Sequence, residues 1–152
     1  MIKAAPKQTQ KKEEVKDLAR HIYPTRKQQY ALDCPADIII FGGSRGGGKS
    51  ACSYMKILQH AELYNLNANI LFLRKTLKEL EQNIDEAKKF FTGTGEWKEQ
   101  KKRWEFKNGA VCNFDYLDNE KVDSYQGHQY TLVVYDELGN FASIDAFDKL
   151  RA

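Results

Sequence analysis

The chain has 152 residues, 41% hydrophobic, 12% aromatic and 30% charged, which is the balance of an ordinary folded domain and excludes a wholly disordered chain, although the polar, lysine-rich residues 1–11 are expected to be disordered. No apolar run approaches the ~20 residues of a membrane span and the N-terminus lacks the apolar core of a signal peptide, so the expectation is a cytoplasmic protein with no membrane partner. Three cysteines without paired spacing and three scattered histidines argue against a disulfide framework and a zinc site.

The net charge of +3 is unevenly placed. Residues 1–30 hold eight Lys/Arg against three Asp/Glu, so the basic character belongs to the N-terminal arm. Lys3, Lys7, Lys11, Lys12 and Lys16 could touch a phosphate backbone, or the arm could simply be a solvated terminus. The reading in chain order is a basic arm with a short helix over 1–22, its stripe being Val15, Leu18, Ala19 and Ile22, and one α/β domain over 23–152.

Thr25 is placed to N-cap a second short helix that runs to Leu32. Turn chemistry in Asp33-Cys34-Pro35-Ala36-Asp37 follows. Asp37 to Phe41 is then predicted as a strand apolar on both faces, the mark of a central parallel strand. From Lys49 to about Tyr64 a helical period returns, with Ala51, Tyr54, Ile57, Leu58 and Ala61 on one face. Ile70 to Leu73 is a second buried strand. Thr76-Leu77-Lys78-Glu79 reads as a capping box opening a helix whose inner stripe is Leu77, Leu80, Ile84, Ala87 and Phe91.

The middle of the chain changes character. Trp104 to Phe106 alternates, Asn108-Gly109 marks a tight turn, and Cys112, Phe114 and Tyr116 alternate on its far side, which predicts an inserted β-hairpin. Its aromatics could stack bases, but period-two aromatics on a hairpin more commonly pack. Residues 118–130 are a polar loop, Thr131 to Tyr135 is a third buried strand ending in Asp136-Glu137, and Ile144 opens a last helix.

Gly43-Ser44-Arg45-Gly46-Gly47-Gly48-Lys49-Ser50 fits G-x-x-x-x-G-K-[ST]. A triphosphate is bound by backbone N–H groups turned inward, which needs residues without a Cβ at closest approach. The helix that begins near Lys49 adds its N-terminal partial charge. Lys49 is assigned to the β and γ phosphates of ATP and the Ser50 hydroxyl to Mg²⁺. The motif follows an apolar segment and opens a helix, as this mechanism requires.

Leu132-Val133-Val134-Tyr135-Asp136-Glu137 supplies the complement. Carboxylates at the C-terminal edge of a parallel strand sit where ligands of open α/β sheets gather. Asp136 is assigned to the Mg²⁺ shell and Glu137 to orienting or deprotonating water. A second acid beside the metal ligand favours hydrolysis over transfer to a small substrate, hence an ATPase.

In these residues the chain resembles the N-terminal ATPase part of the large terminase subunit of tailed bacteriophages, the motor that packages DNA into procapsids. The likeness is carried by Tyr23-Pro-Thr-Arg-Lys-Gln28, similar to an adenine-reading glutamine motif, and by the arginine-bearing loop 43–50. It is carried further by Ile70-Leu-Phe-Leu-Arg74 with Lys75-Thr76, and by Ser124-Tyr-Gln-Gly127 ahead of Tyr135-Asp-Glu-Leu138.

The resemblance implies a P-loop NTPase fold of the ASCE type, a parallel sheet flanked by helices. It implies that Arg45 stabilises the γ-phosphate, with a solvated loop residue as the alternative, and that Tyr23 and Gln28 contact adenine, with a surface helix residue as the alternative for Gln28. Arg74 could face nucleotide or a neighbouring subunit, a salt bridge to a nearby acid being the simpler account. The implied partners are double-stranded DNA, the portal protein, the small terminase subunit and other copies of the chain, in the host cytoplasm.

Relatives continue past the acid pair with a coupling strand, further sheet and an RNase H-like nuclease domain. This chain ends at Ala152. The expectation is therefore an incomplete sheet and little or no steady-state ATP turnover by the 152 residues alone. Two alternatives stand beside the motor: a superfamily 2 helicase-like ATPase, and a non-catalytic nucleotide-binding remnant.

Overall fold

A computed structural model describes residues 23–44, 46–117, 128–140 and 147. The short helix expected before residue 23, Arg45, the Ser124–Gly127 motif and the closing helix from Ile144, apart from Phe147, lie outside the described residues.

The elements in order are α1 (Arg26–Leu32), α2 (Lys49–Tyr64), β1 (Asn69–Arg74), α3 (Leu77–Phe90), β2 (Gly95–Lys98), β3 (Arg103–Phe106), β4 (Val111–Tyr116) and β5 (Leu132–Tyr135). The five strands form one sheet in the order β2-β3-β4-β1-β5. β4 and β5 flank β1 in parallel, and β2, β3 and β4 form an antiparallel run. The sheet is therefore mixed. The expected hairpin exists, but its second strand is a full member of the sheet, with Ile70 opposite Cys112 and Phe72 opposite Phe114.

Local chemistry accounts for the helix ends. Thr25 caps α1 by a reciprocal box with Gln28: the Thr25 hydroxyl accepts from the Gln28 N–H, and the Gln28 side chain accepts from the Thr25 N–H at 2.8 Å. Thr76 caps α3 by accepting from the Glu79 N–H at 3.3 Å. The return half of the box expected there is not made, and Glu79 Oε2 is buried without a hydrogen bond. Lys88 and Lys89 in the last turn of α3 face its negative pole.

The period-two alternation of β1 divides the core. Ile70 and Phe72 join Tyr54, Ile57 and Ala61 of α2, Leu80, Ile84 and Ala87 of α3, and the hairpin residues Trp104, Phe106, Cys112 and Phe114 in the larger cluster. Leu71 and Leu73 point to the other face, with Leu117, Tyr130, Val133 and Tyr135. The hairpin aromatics thus pack: Phe91 meets Trp104 and Phe106 at centroid distances of 5.7 and 5.5 Å. Leu77, expected on the inner stripe of α3, is 39% exposed.

The strand expected ahead of the glycine-rich turn is also overturned. Asp37 to Phe41 forms no strand, and Ile38, Ile39 and Ile40 are 42%, 37% and 81% exposed. β5 uses one side for β1, and no described strand pairs the apolar segment. An apolar run signals a tendency to be buried but does not supply the neighbouring ladder that a parallel strand needs.

Candidate functional site

The glycine-rich turn leads from the unpaired segment into α2. Gly47 N–H donates to Ser44 O at 3.1 Å. Gly46 and Gly48 take positive φ of 79° and 71°, the left-handed region that favours glycine, and Gly48 is the N-cap of α2. A Cβ on Gly48 would also stand 2.7 Å from Gln28 Nε2. The Lys49 ammonium folds back on the turn, donating to Gly43 O at 3.1 Å and Ser44 O at 2.9 Å.

Ser50 opens toward the sheet. Its hydroxyl donates to Asp136 Oδ2 at 3.1 Å, a bond between residues 86 apart in sequence that brings the turn and the end of β5 together. Asp136 follows β5 directly, and its N–H continues the ladder by donating to Leu73 O at 3.0 Å. At 4% exposure its carboxylate is buried, and such a group needs partners. It also accepts from Asn83 Nδ2 at 3.1 Å and lies 3.7 Å from Arg74 Nη1.

Arg74 ends β1 beside both acids. Its Nε donates to Asn83 Oδ1 at 2.7 Å, and its Nη1 lies 3.0 Å from Glu137 Oε2, an ion pair without hydrogen-bond alignment. The salt-bridge account of this arginine is the one observed. Glu137 has φ of 55°, an unusual conformation for a side-chain-bearing residue. Asn140 Nδ2 donates to its Oε2 at 2.8 Å, and Asn140 N–H donates to its carbonyl at 2.9 Å.

Two more residues complete the cluster. Asn83 on α3 is 3% exposed, and its Nδ2 also donates to Tyr54 OH at 3.1 Å. The Tyr54 hydroxyl donates to the Asn83 carbonyl at 3.1 Å. Burial, foremost, pushes the Tyr54 pKa above its ordinary value, so the phenol stays protonated and remains a donor.

Of the residues singled out in the sequence, the structure brings Lys49, Ser50, Asp136 and Glu137 to one place with Gly43, Ser44, Gly46, Gly47 and Gly48. Gln28 is 6% exposed, and its amide is engaged twice, in the α1 cap and by donating to Gly48 O at 2.9 Å. Tyr23 is 78% exposed. Arg45 lies outside the described residues. Asn83 and the Tyr54 hydroxyl escaped the sequence reading. The signal for Asn83 was a polar residue at an inner position of α3, three after Leu80 and four before Ala87.

A family profile described as terminase large subunit, T4-like-virus type, N-terminal, matches residues 40–152. The chain belongs to the terminase large subunit family. The match covers the glycine-rich turn, Arg74, Asn83 and the acid pair, and gives no support to the helicase-like alternative. Neither a curated protein nor a solved structure gives a significant match to this terminase chain. No helix among its described residues is long and apolar enough to cross a membrane, and no cluster of His, Cys, Asp and Glu there could hold a metal by itself.

Proposed function

We propose that this terminase chain carries the ATP-binding and ATP-hydrolysing motor of phage DNA packaging, built on a P-loop NTPase fold. The observation that supports this reading most is the Ser50–Asp136 hydrogen bond of 3.1 Å, which joins the phosphate-type loop to the strand-end acids. A hydroxyl and a carboxylate are hard oxygen donors, the kind Mg²⁺ prefers. When bound, Mg²⁺ would neutralise charge on the phosphate oxygens.

The chain's own groups then have distinct tasks. The N–H groups from Gly43 to Ser50 cradle phosphate at the start of α2. Lys49 exchanges its carbonyl partners, Gly43 and Ser44, for phosphate oxygens. Asp136 and Ser50 would hold the cation, and Glu137, once released from Arg74 Nη1 and Asn140 Nδ2, orients the attacking water and takes up its proton. Arg45 is assigned to the γ-phosphate and Tyr23 to adenine; Gln28, also assigned to adenine, would have to give up Thr25 N–H and Gly48 O to read it. The substrate to be moved is double-stranded DNA, with the portal protein, the small terminase subunit and further copies of the chain as partners in the host cytoplasm.

Calorimetric titration with Mg–ATP tests the reading. Uptake by the unaltered chain is expected, with marked weakening in Lys49→Ala. In the complete packaging assembly, Glu137→Gln should keep binding while hydrolysis falls by about 10²-fold or more. A folded chain that takes up no Mg–ATP would overturn it.

A further inference from the structure

Asn83 touches three of the elements that build the site. Its side chain spans the end of β1 through Arg74 Nε at 2.7 Å, the end of β5 through Asp136 Oδ2 at 3.1 Å, and α2 through Tyr54 OH at 3.1 Å. An amide has fixed polarity: the oxygen can only accept and the nitrogen can only donate. Here the oxygen meets the guanidinium and the nitrogen meets the carboxylate, so each end is matched to a charge. The Tyr54 hydroxyl accepts from Asn83 Nδ2, which holds the amide in that orientation, and donates in turn to the Asn83 backbone carbonyl.

The spacing of the charges gives this wedge a purpose. Arg74 Nη1 is 3.7 Å from Asp136 but 3.0 Å from Glu137. A guanidinium beside a carboxylate ordinarily closes to a bidentate fork. With Nε held by Asn83, Arg74 does not close on Asp136, which keeps hydrogen bonds from Ser50 and Asn83 instead. At 3.7 Å Arg74 offsets part of the Asp136 charge, but its Nη1 makes no hydrogen bond to the carboxylate, which is therefore less fully paired than in a bidentate fork.

We propose that Asn83 is a positioning residue of the nucleotide site, fixing the rotation of the Asp136 carboxylate and keeping Arg74 from closing a bidentate fork on it, so that Asp136 remains available to a divalent cation. This role rests on the nucleotide-binding reading above. It makes Asn83 matter to the Mg²⁺-dependent part of ATP affinity and not to the rest, which a merely structural residue would not do.

The test is a fluorescence titration with an N-methylanthraniloyl derivative of ATP, on the 152-residue chain, in Mg²⁺ and in EDTA. Asn83→Leu, of similar volume, and Asn83→Ala, which favours the helix, are compared with the unaltered chain after circular dichroism has shown them folded. Both should lose about tenfold of the Mg²⁺ enhancement, the usual scale for groups that orient a metal ligand, and keep EDTA affinity within about twofold. An unchanged enhancement, or equal losses with and without Mg²⁺, would overturn the role.

The unaltered chain gives a reading that needs no variant. The Asn83 side-chain amide signals in a ¹H–¹⁵N spectrum should move on addition of Mg–ATP and stay in place with ATP in EDTA. Signals that do not distinguish the two conditions would overturn the role as well. Failure of the unaltered chain to bind the nucleotide at all would instead overturn the nucleotide-binding reading, and the Asn83 role with it.

Discussion

Substituting Gly48 by alanine strains two things at once. Gly48 has φ of +71°, and left-handed backbone costs a residue with a Cβ roughly 1–2 kcal/mol. The new methyl would stand 2.7 Å from Gln28 Nε2, closer than such contacts come, so the amide must leave its 2.9 Å bond to Gly48 O. That bond is worth about 1 kcal/mol. The stiffer unfolded chain returns about 0.5 kcal/mol. The net loss is about 2 kcal/mol, or about 4–8 °C in melting temperature for a domain of this size.

Urea denaturation followed by circular dichroism measures this loss, and a double-mutant cycle with Gln28→Ala separates its parts. With the Gln28 amide removed, Gly48→Ala should cost only the backbone share, leaving a coupling of about 1 kcal/mol between the two sites. A neutral Gly48→Ala, or an equal cost in both backgrounds, would refute the account of Gln28 as the brace of this turn.

Two other outcomes follow from burial and charge. Burial, foremost, and the nearby Lys56 hold the His60 pKa below its ordinary value of 6.5, so the folded state resists a proton that the unfolded chain accepts. Stability is therefore complete above that ordinary value and falls as the pH drops through it toward the lower folded value; in thermal melts across this range His60→Gln should flatten the decline, and identical slopes would refute it. Cys52 and Cys112 are buried, with thiol pKa values pushed up chiefly by that burial, while Cys34 is partly exposed. A thiol-specific chromogenic disulfide should accordingly modify one cysteine quickly in the native chain and all three only in denaturant, and fast reaction of Cys112 would count against the core as described.

Features set by local chemistry were legible in the sequence. The Thr25 and Thr76 caps, the Tyr54-Ile57-Ala61 stripe and the Asn108-Gly109 turn each depend on residues within a few positions, and each is found. The Ser50–Asp136 meeting was also anticipated, because strand-end chemistry of an open α/β sheet is a rule about edges. Pairing was harder to read. Nothing in Ile38-Ile39-Ile40 tells whether a ladder partner stands beside it, and nothing in Cys112 and Phe114 says that their strand lies parallel to β1. Gln28 and Asn83 show a different limit: an amide can cap, brace or recognise, and only the direction of its two ends decides which.

The central position of β1 has a mechanical consequence. Its backbone is bonded on both sides, and Ile70, Phe72 and Leu73 are 0% exposed, so its amides should be among the slowest in the molecule to exchange with deuterium. A side chain added at Gly42, Gly43 or Gly46 would meet nothing within 4 Å, so the amides there should exchange early. The site thus has one stiff side, the end of β1 that carries Arg74 and receives the Asp136 N–H, and one looser side of glycine. The exchange map should therefore be uneven across the site, slow at the β1 end and fast along the glycines.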